Sequence, residues 1–194
     1  MDNILVVATR NEGKLKELKG IAEKYGMQLL SMKDVGYGDF EIEENGESFR
    51  ENALIKAETL CEMLGRPCIG DDSGLCVDAL GGAPGVHSAR YAGEHGNDAA
   101  NRTKLLEEMR GISERGAHFE CCIALCFPKS KTIVARGICS GTIAEEERGS
   151  GGFGYDSLFV PEGYSETFAE LPEEIKNLIS HRGRALQELE KLLE

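Results

Sequence analysis

The chain has 194 residues, and its 22 Lys and Arg against 34 Asp and Glu give a net charge of −12 and an isoelectric point near 4.9. With 41% hydrophobic and 29% charged residues it can bury a sizeable core, which excludes a disordered chain and suits one domain, or two lobes around a common cleft. So acidic a surface argues against nucleic acid as a partner. No apolar run reaches the roughly 18 to 20 residues of a membrane span, and Met1-Asp2-Asn3 lacks a basic signal start, so a cytoplasmic protein with no membrane partner is expected.

Ile4 to Ala8 reads as a short strand that opens into Thr9-Arg10-Asn11-Glu12-Gly13-Lys14. Leu15, Leu18, Ile21, Ala22 and Tyr25 then mark a helical face ending at Gly26. A second helix starts at a capping box, Ser48 with Glu51, and ends at Gly65. Asn52 and Lys56 share its polar face, one turn apart. Cys68-Ile69-Gly70 and Leu75-Cys76-Val77 read as two short strands with the acidic turn Asp71-Asp72-Ser73-Gly74 at their junction.

A helix over about 98–109 precedes two long strands, 119–127 and 132–143, which the turn residues Pro128-Lys129-Ser130-Lys131 should join as a hairpin. The last third holds a glycine-rich turn at 149–154, a short strand at 158–160 and a helix starting near Pro172. A terminal helix capped by Ser180 follows, with Ala185, Leu186, Leu189, Leu192 and Leu193 as its buried stripe. The long antiparallel strands argue for a mixed α/β sheet over a purely parallel one.

Four segments could carry chemistry. Gly13-Lys14 between strand and helix is either a phosphate cradle or a turn with a solvated lysine. Walker A is excluded, since Ala8 stands where its first Gly belongs and Leu15 where its hydroxyl belongs. Gly149-Ser150-Gly151-Gly152-Phe153-Gly154 matches Gly-x-Gly-x-x-Gly but lacks the strand before and the helix after that a dinucleotide fingerprint needs. Its glycines permit close backbone approach beside Phe153, Tyr155 and Asp156.

Asp71-Asp72 is either an ordinary turn or a place where two carboxylates meet a hard cation, and Glu41, Glu43 and Glu44 read as a solvated face. His181 and Arg182 put positive charge in the first turn of the last helix, where the dipole disfavours it and an anion or carbonyl would relieve it; the alternative is an exposed basic turn. The seven cysteines (Cys61, Cys68, Cys76, Cys121, Cys122, Cys126 and Cys139) contain no Cys-x-x-Cys and read as buried thiols, not as a zinc or redox site.

Taken together and in order, Ala8 to Lys14, Ser48 to Ala57, Asp71 to Leu75, Leu80 to Gly85 with Ser88-Ala89-Arg90-Tyr91, Gly151 to Asp156, and Lys176 with Ile179 to Gly183 resemble the inosine triphosphate pyrophosphatase family over nearly the whole chain. Ser157 departs from that family's usual proline, which would have fixed φ there. The resemblance implies a single domain over 1–194 with an elongated mixed β-sheet, flanking helices and two lobes around a central cleft. It also implies a homodimer and magnesium-dependent hydrolysis of ITP, dITP and XTP to the monophosphate and pyrophosphate.

On that basis Asp72 would be the general base and, with Glu44, a magnesium ligand. Thr9, Arg10, Asn11, Glu12, Gly13, Lys14, Lys56, Ser73 and Arg90 would bind the substrate around its phosphates. Phe153, Gly154, Tyr155, Asp156, Lys176, His181 and Arg182 would bind it around the base. Hypoxanthine and xanthine present an oxygen acceptor at position 6, whereas adenine presents an amine that would face the donors of Lys176 and Arg182. A non-enzymatic nucleotide sensor would use the same contacts but would not need Asp72 to be catalytic.

Overall fold

The structure, a computed structural model, describes residues 4–23 and 26–193; Tyr25 and the side chain of Ile21 lie outside the described residues. Its elements are β1 (Ile4–Val7), α1 (Glu12–Ala22), β2 (Gln28–Ser31), α2 (Phe49–Leu64), β3 (Cys68–Val77), α3 (Asp98–Glu108), β4 (Gly116–Cys126), β5 (Ile133–Ile143), β6 (Phe159–Pro161), α4 (Glu173–Ile179) and α5 (His181–Leu193). Short 3-10 turns cover Asp78–Leu80 and Gly85–Arg90.

The strands form one sheet in the order β2-β1-β3-β4-β5-β6. β1 runs parallel to both β2 and β3, with Val6 opposite Leu30 and Cys68, while β6 is antiparallel to β5, with Thr142 opposite Val160. The sheet is therefore mixed. β4 and β5 are neighbours joined by residues 127–132, a link too short for a parallel crossover, so they form the expected hairpin. Its turn is closed by the Ser130 N–H on the Phe127 carbonyl, with Lys129 in the left-handed region at φ 62°.

α2 shows how local sequence sets an element. The Ser48 hydroxyl accepts from the Glu51 N–H, and Gly65, at φ 62°, closes the helix on the Cys61 carbonyl. The Glu51 carboxylate reaches back one residue further than in a standard capping box, to the Glu47 N–H at 2.7 Å. Against this helix lies Gly70 of β3: a Cβ there would sit 2.2 Å from the Ala53 carbonyl oxygen and 2.7 Å from the Ala57 nitrogen, so only glycine lets helix and strand approach so closely.

Three expectations change. Asp71-Asp72-Ser73-Gly74 is no turn but the middle of one ten-residue strand, β3, because buried cations pair its carboxylates and the strand need not break to solvate them. β2 was not expected; four residues carry too little periodicity, and what holds it is pairing with β1. In α5, Ala185, Leu186 and Leu189 are buried as expected, but Leu192 and Leu193 are 50% and 48% exposed, since the helix runs past the core it packs on.

The chain divides into two compact units. Unit 1 takes the chain up to Asp72, Cys121–Gly137, and the chain from Arg182 onward; unit 2 takes Ser73–Glu120 and Ile138–His181. Unit 1 packs Leu15 and Leu18 of α1 and Ala185, Leu186 and Leu189 of α5 with Leu5 and Val7 of β1, Ile69 of β3, and Cys121, Ile123 and Leu125 of β4. The alternation in β4 gives one face of the strand to this cluster. Unit 2 packs Leu75, Val77, Leu105 and Met109 with Phe119, Tyr155, Phe159 and Phe168. Each fully buried Leu or Phe contributes about 1.5–3 kcal/mol by leaving water.

Candidate active site

In unit 1 the segment after β1 folds on its own side chains. Asn11 Oδ1 accepts from the Lys14 N–H (3.0 Å) and so caps the N-terminus of α1, while Thr9 Oγ1 accepts from the Asn11 N–H (3.1 Å) and holds the capping residue. Glu12, Gly13 and Lys14 occupy the first turn of α1. Arg10 is exposed and pairs with Glu41 at 2.7 Å.

Lys14 projects to the two carboxylates of β3. Its Nζ lies 2.9 Å from Asp71 Oδ1 and 3.9 Å from Asp72 Oδ1. From α2, Lys56 Nζ lies 3.4 Å from the same Asp72 oxygen and 3.1 Å from Glu44 Oε2. Asn52, one turn before Lys56, donates to Asp72 Oδ2 at 3.1 Å, while its own Oδ1 accepts from the Gly46 N–H at 2.8 Å. The loop bearing Glu44 is thereby tied to Asp72. Gly46 has to be glycine, since a Cβ would meet Asn52 Oδ1 at 2.7 Å. Glu41 and Glu43 are exposed, as a solvated face requires, but Glu44 is drawn in by Lys56.

The adjacent aspartates differ electrostatically. Burial pushes the Asp71 carboxyl up, but Arg182 and Lys14 outweigh it and hold the group well below the usual carboxylate range. For Asp72 burial prevails over Lys56, Lys14 and the Asn52 hydrogen bond, and Glu44 adds to it, so the group stands above its ordinary value. Lys14 reaches both carboxylates, but the remaining partners differ: Arg182 and Cys121 for Asp71, Lys56 and Asn52 for Asp72. Asp72 is consequently the better proton acceptor of the two. Burial lowers the Lys14 ammonium, but Asp71 and Asp72 more than compensate, and it stays protonated.

Arg182 also belongs to this group. Its Nε donates to Asp71 Oδ2 at 2.8 Å, its Nη2 lies 3.4 Å from Asp71 Oδ1, and its Nη1 pairs with Glu17 of α1, all with 1% of the residue exposed. The guanidinium, expected at the base edge, is paired in this structure with two carboxylates; so deep a charge has to be paired. The Cys121 thiol donates to the same Asp71 Oδ2 at 3.1 Å. Asn52, Glu17 and Cys121 were not among the site residues expected from sequence. Only Asn52 carried a signal, its i, i+4 spacing with Lys56.

In unit 2 the glycine-rich turn wraps Asp156. Asp156 Oδ2 accepts from the Phe153 N–H (2.8 Å) and from Lys176 Nζ (2.6 Å), and at Gly152 a Cβ would sit 2.1 Å from that oxygen. Lys176 Nζ lies 5.2 Å from the centre of the Phe153 ring. The Gly154 N–H donates to Asp98, its carbonyl accepts from Arg102, and the Tyr155 hydroxyl donates to the Ser88 carbonyl. Gly151, Gly152, Phe153, Gly154 and Asp156 line a pocket of about 160 Å³. Ser157, also on its wall, holds Glu147 at 3.1 Å.

His181 is buried and stacks on Phe119, centroids 4.7 Å apart at 12°. Arg90 is exposed beside His87, and Ser73 is half-buried, next after Asp72 in β3. The structure thus gathers Lys14, Lys56, Glu44 and Asp72 in unit 1, and Phe153, Asp156 and Lys176 in unit 2. None of the seven cysteines forms a disulfide, and burial pushes the Cys61 and Cys68 thiols up to about 12, so they stay protonated and inert.

A basic carboxylate between two ammonium groups can take a proton from water while an oxyanion is neutralised beside it, and a glycine-lined aromatic pocket can receive a flat ring; the molecule is a mixed α/β protein with both features. The chain belongs to the Ham1 family, whose model matches residues 5–192. It is 50% identical over 192 residues to a dITP/XTP pyrophosphatase of Bacillus licheniformis, covering 98% of this chain and 97% of that one. To the Bacillus subtilis protein of the same name it is 48% identical over 191 residues, 97% and 96% of the two chains. Among solved structures, the Staphylococcus aureus Ham1 protein superposes with a TM-score of 0.86 at 40% identity, covering 98% and 97%. A Mycobacterium abscessus nucleoside-triphosphatase / dITP/XTP pyrophosphatase gives 0.77 at 45% identity, covering 98% and 100%.

Proposed function

We propose that the protein hydrolyses deaminated purine nucleoside triphosphates (ITP, dITP and XTP) between the α and β phosphates, releasing the monophosphate and pyrophosphate. The names of its Ham1 relatives support the substrate class. The observation that carries the reading is Asp72, a buried carboxylate of raised basicity with the Lys14 and Lys56 ammonium groups both near its Oδ1. In this reading Lys14 and Lys56 neutralise phosphate oxygens, with Arg10, Ser73 and Arg90 as further contacts, and the α1 N-terminus from Thr9 to Gly13 supports them. Asp72 accepts the proton of the water that attacks the α-phosphorus, the α–β bridging bond breaks, and pyrophosphate leaves with the electron pair.

A magnesium ion fits this donor set. Glu44 Oε2 and Asp72 Oδ1 already turn to a shared cation, the Lys56 ammonium, and both are hard oxygen ligands. Among the described residues no group of three or more His, Cys, Asp or Glu side chains could hold a metal. Two carboxylates completed by phosphate oxygens and water are the pattern magnesium uses. Bound there by Glu44 and Asp72, it would supply charge neutralisation of the polyphosphate. In unit 2, Phe153 stacks on the purine, with Gly154 and Tyr155 shaping the turn, and Lys176, oriented by Asp156, donates to the 6-oxygen. His181 backs that region through Phe119.

We carry a cytoplasmic homodimer in the same proposal; no helix among the described residues is long and apolar enough to cross a membrane. The test is product analysis with magnesium. dITP should yield pyrophosphate, and ATP should react on the order of 10⁴-fold more slowly, because its 6-amine leaves a donor facing donors. Orthophosphate as the first product, or equal rates on ATP, would contradict the reading.

A further inference from the structure

Asp71 is 0% exposed, deeper than the base beside it, and its oxygens are crowded with donors. Oδ2 takes Arg182 Nε at 2.8 Å and the Cys121 thiol at 3.1 Å; Oδ1 takes Lys14 Nζ at 2.9 Å and Arg182 Nη2 at 3.4 Å. Of these partner side chains, Arg182 and Cys121 are sealed in the core, at 1% and 0% exposure, whereas Lys14 retains 14% on its side chain. Three of the four contacts therefore fix the carboxylate, and the fourth passes that fixed position to the ammonium of a side chain that is the least buried of the three partners. A lysine has four rotatable carbons to order, and one anchored on a rigid anion has already lost that freedom before a ligand arrives.

We propose that Asp71 is a positioning residue that holds the Lys14 ammonium in place for the phosphates, with Cys121 among the groups that fix Asp71; the assignment rests on the phosphate role of Lys14 proposed above. It makes a prediction opposite in sign to simple charge counting. Removing an anion near a polyanion site should tighten polyanion binding. Removing this anion should weaken it, by releasing the lysine.

The test is a double-mutant cycle read by calorimetric binding of inorganic tripolyphosphate to the full chain at fixed magnesium. Lys14→Ala should weaken binding by about tenfold or more, as expected for a lost charge-assisted contact. Asp71→Asn should weaken it severalfold while Lys14 is present, and leave it unchanged or tighter within about twofold once Lys14 is Ala. Unchanged or tighter binding in the Lys14 background, an equal weakening in both backgrounds, or a wild type that binds no tripolyphosphate would overturn the proposal.

Should thermal melting show that Asp71→Asn does not fold, the cycle is run with Cys121→Ala. The expected result is a loss of about twofold to fivefold that disappears in the Lys14→Ala background and is reversed by Cys121→Ser, whose hydroxyl can still donate. No loss, a loss independent of Lys14, or no rescue by serine overturns it. A wild type that follows the cycle but releases no pyrophosphate from dITP removes the functional reading and leaves the positioning role standing; pyrophosphate release with an additive cycle does the reverse.

Discussion

In unit 1 the interior around Asp71 holds Arg182 and Cys121 in direct contact and Glu17 behind Arg182, with Lys14 at its margin. In unit 2 the comparable interior is aromatic: Phe119 lies 4.8 Å from Phe159 and 5.9 Å from Phe168, with His181 stacked against it. Both regions are buried, but they hold together for different reasons. Rings gain by leaving water and need only shape. Ions lose by leaving water and persist only where each has a partner, so the charged region is fixed residue by residue and tolerates little exchange. A fixed array of charges suits phosphate, and an adaptable apolar wall suits a flat base.

The comparison breaks most visibly at Arg182. Arg182→Ala takes from Asp71 and Glu17 the buried guanidinium they share and should cost about 3–5 kcal/mol in a denaturant melt, whereas the apolar-for-apolar Phe159→Leu in unit 2, which removes only part of a ring's volume, should cost about 1–2 kcal/mol. Similar losses from both would mean that the charged centre is no more exacting than the aromatic one.

Acid sharpens the same contrast more gently. The Asp71 carboxyl is held below its ordinary value of 3.8, so its stabilisation is complete above that value and lost as pH falls through the lower folded value. Asp72 is raised and behaves in the opposite way, its contribution being present below its ordinary value and lost as pH rises through the raised one. Melting temperatures across pH 2 to 7 should therefore show Asp72→Asn at or above wild type near neutrality, with the difference closing in acid. An Asp72→Asn protein less stable than wild type at pH 7 would reverse that assignment.

Much of this was legible in the sequence where the determinants are local. α2 announced itself through Ser48, Glu51 and Gly65, the β4–β5 hairpin through its turn residues, and Lys14, Lys56 and Asp72 stood in the motifs that carry the family resemblance, whereas Glu44 read as part of a solvated face and came in only with what that resemblance implies. What stayed hidden depends on partners distant in the chain. Arg182 meets Asp71 across 111 residues and Glu17 across 165, and Cys121 meets Asp71 across 50. Without those partners two adjacent aspartates read as a turn, and only the fold reveals them inside a strand. β2 was hidden for the same reason, because four residues become a strand only beside β1.

The central claim is that Asp72, of the two neighbouring carboxylates, is the one that accepts the proton. The direct measurement is kcat for pyrophosphate release from dITP by Asp72→Asn, taken with its melting temperature. That kcat should fall by about 10³-fold or more with no loss of stability. Turnover within about tenfold of wild type in a folded Asp72→Asn protein would contradict it.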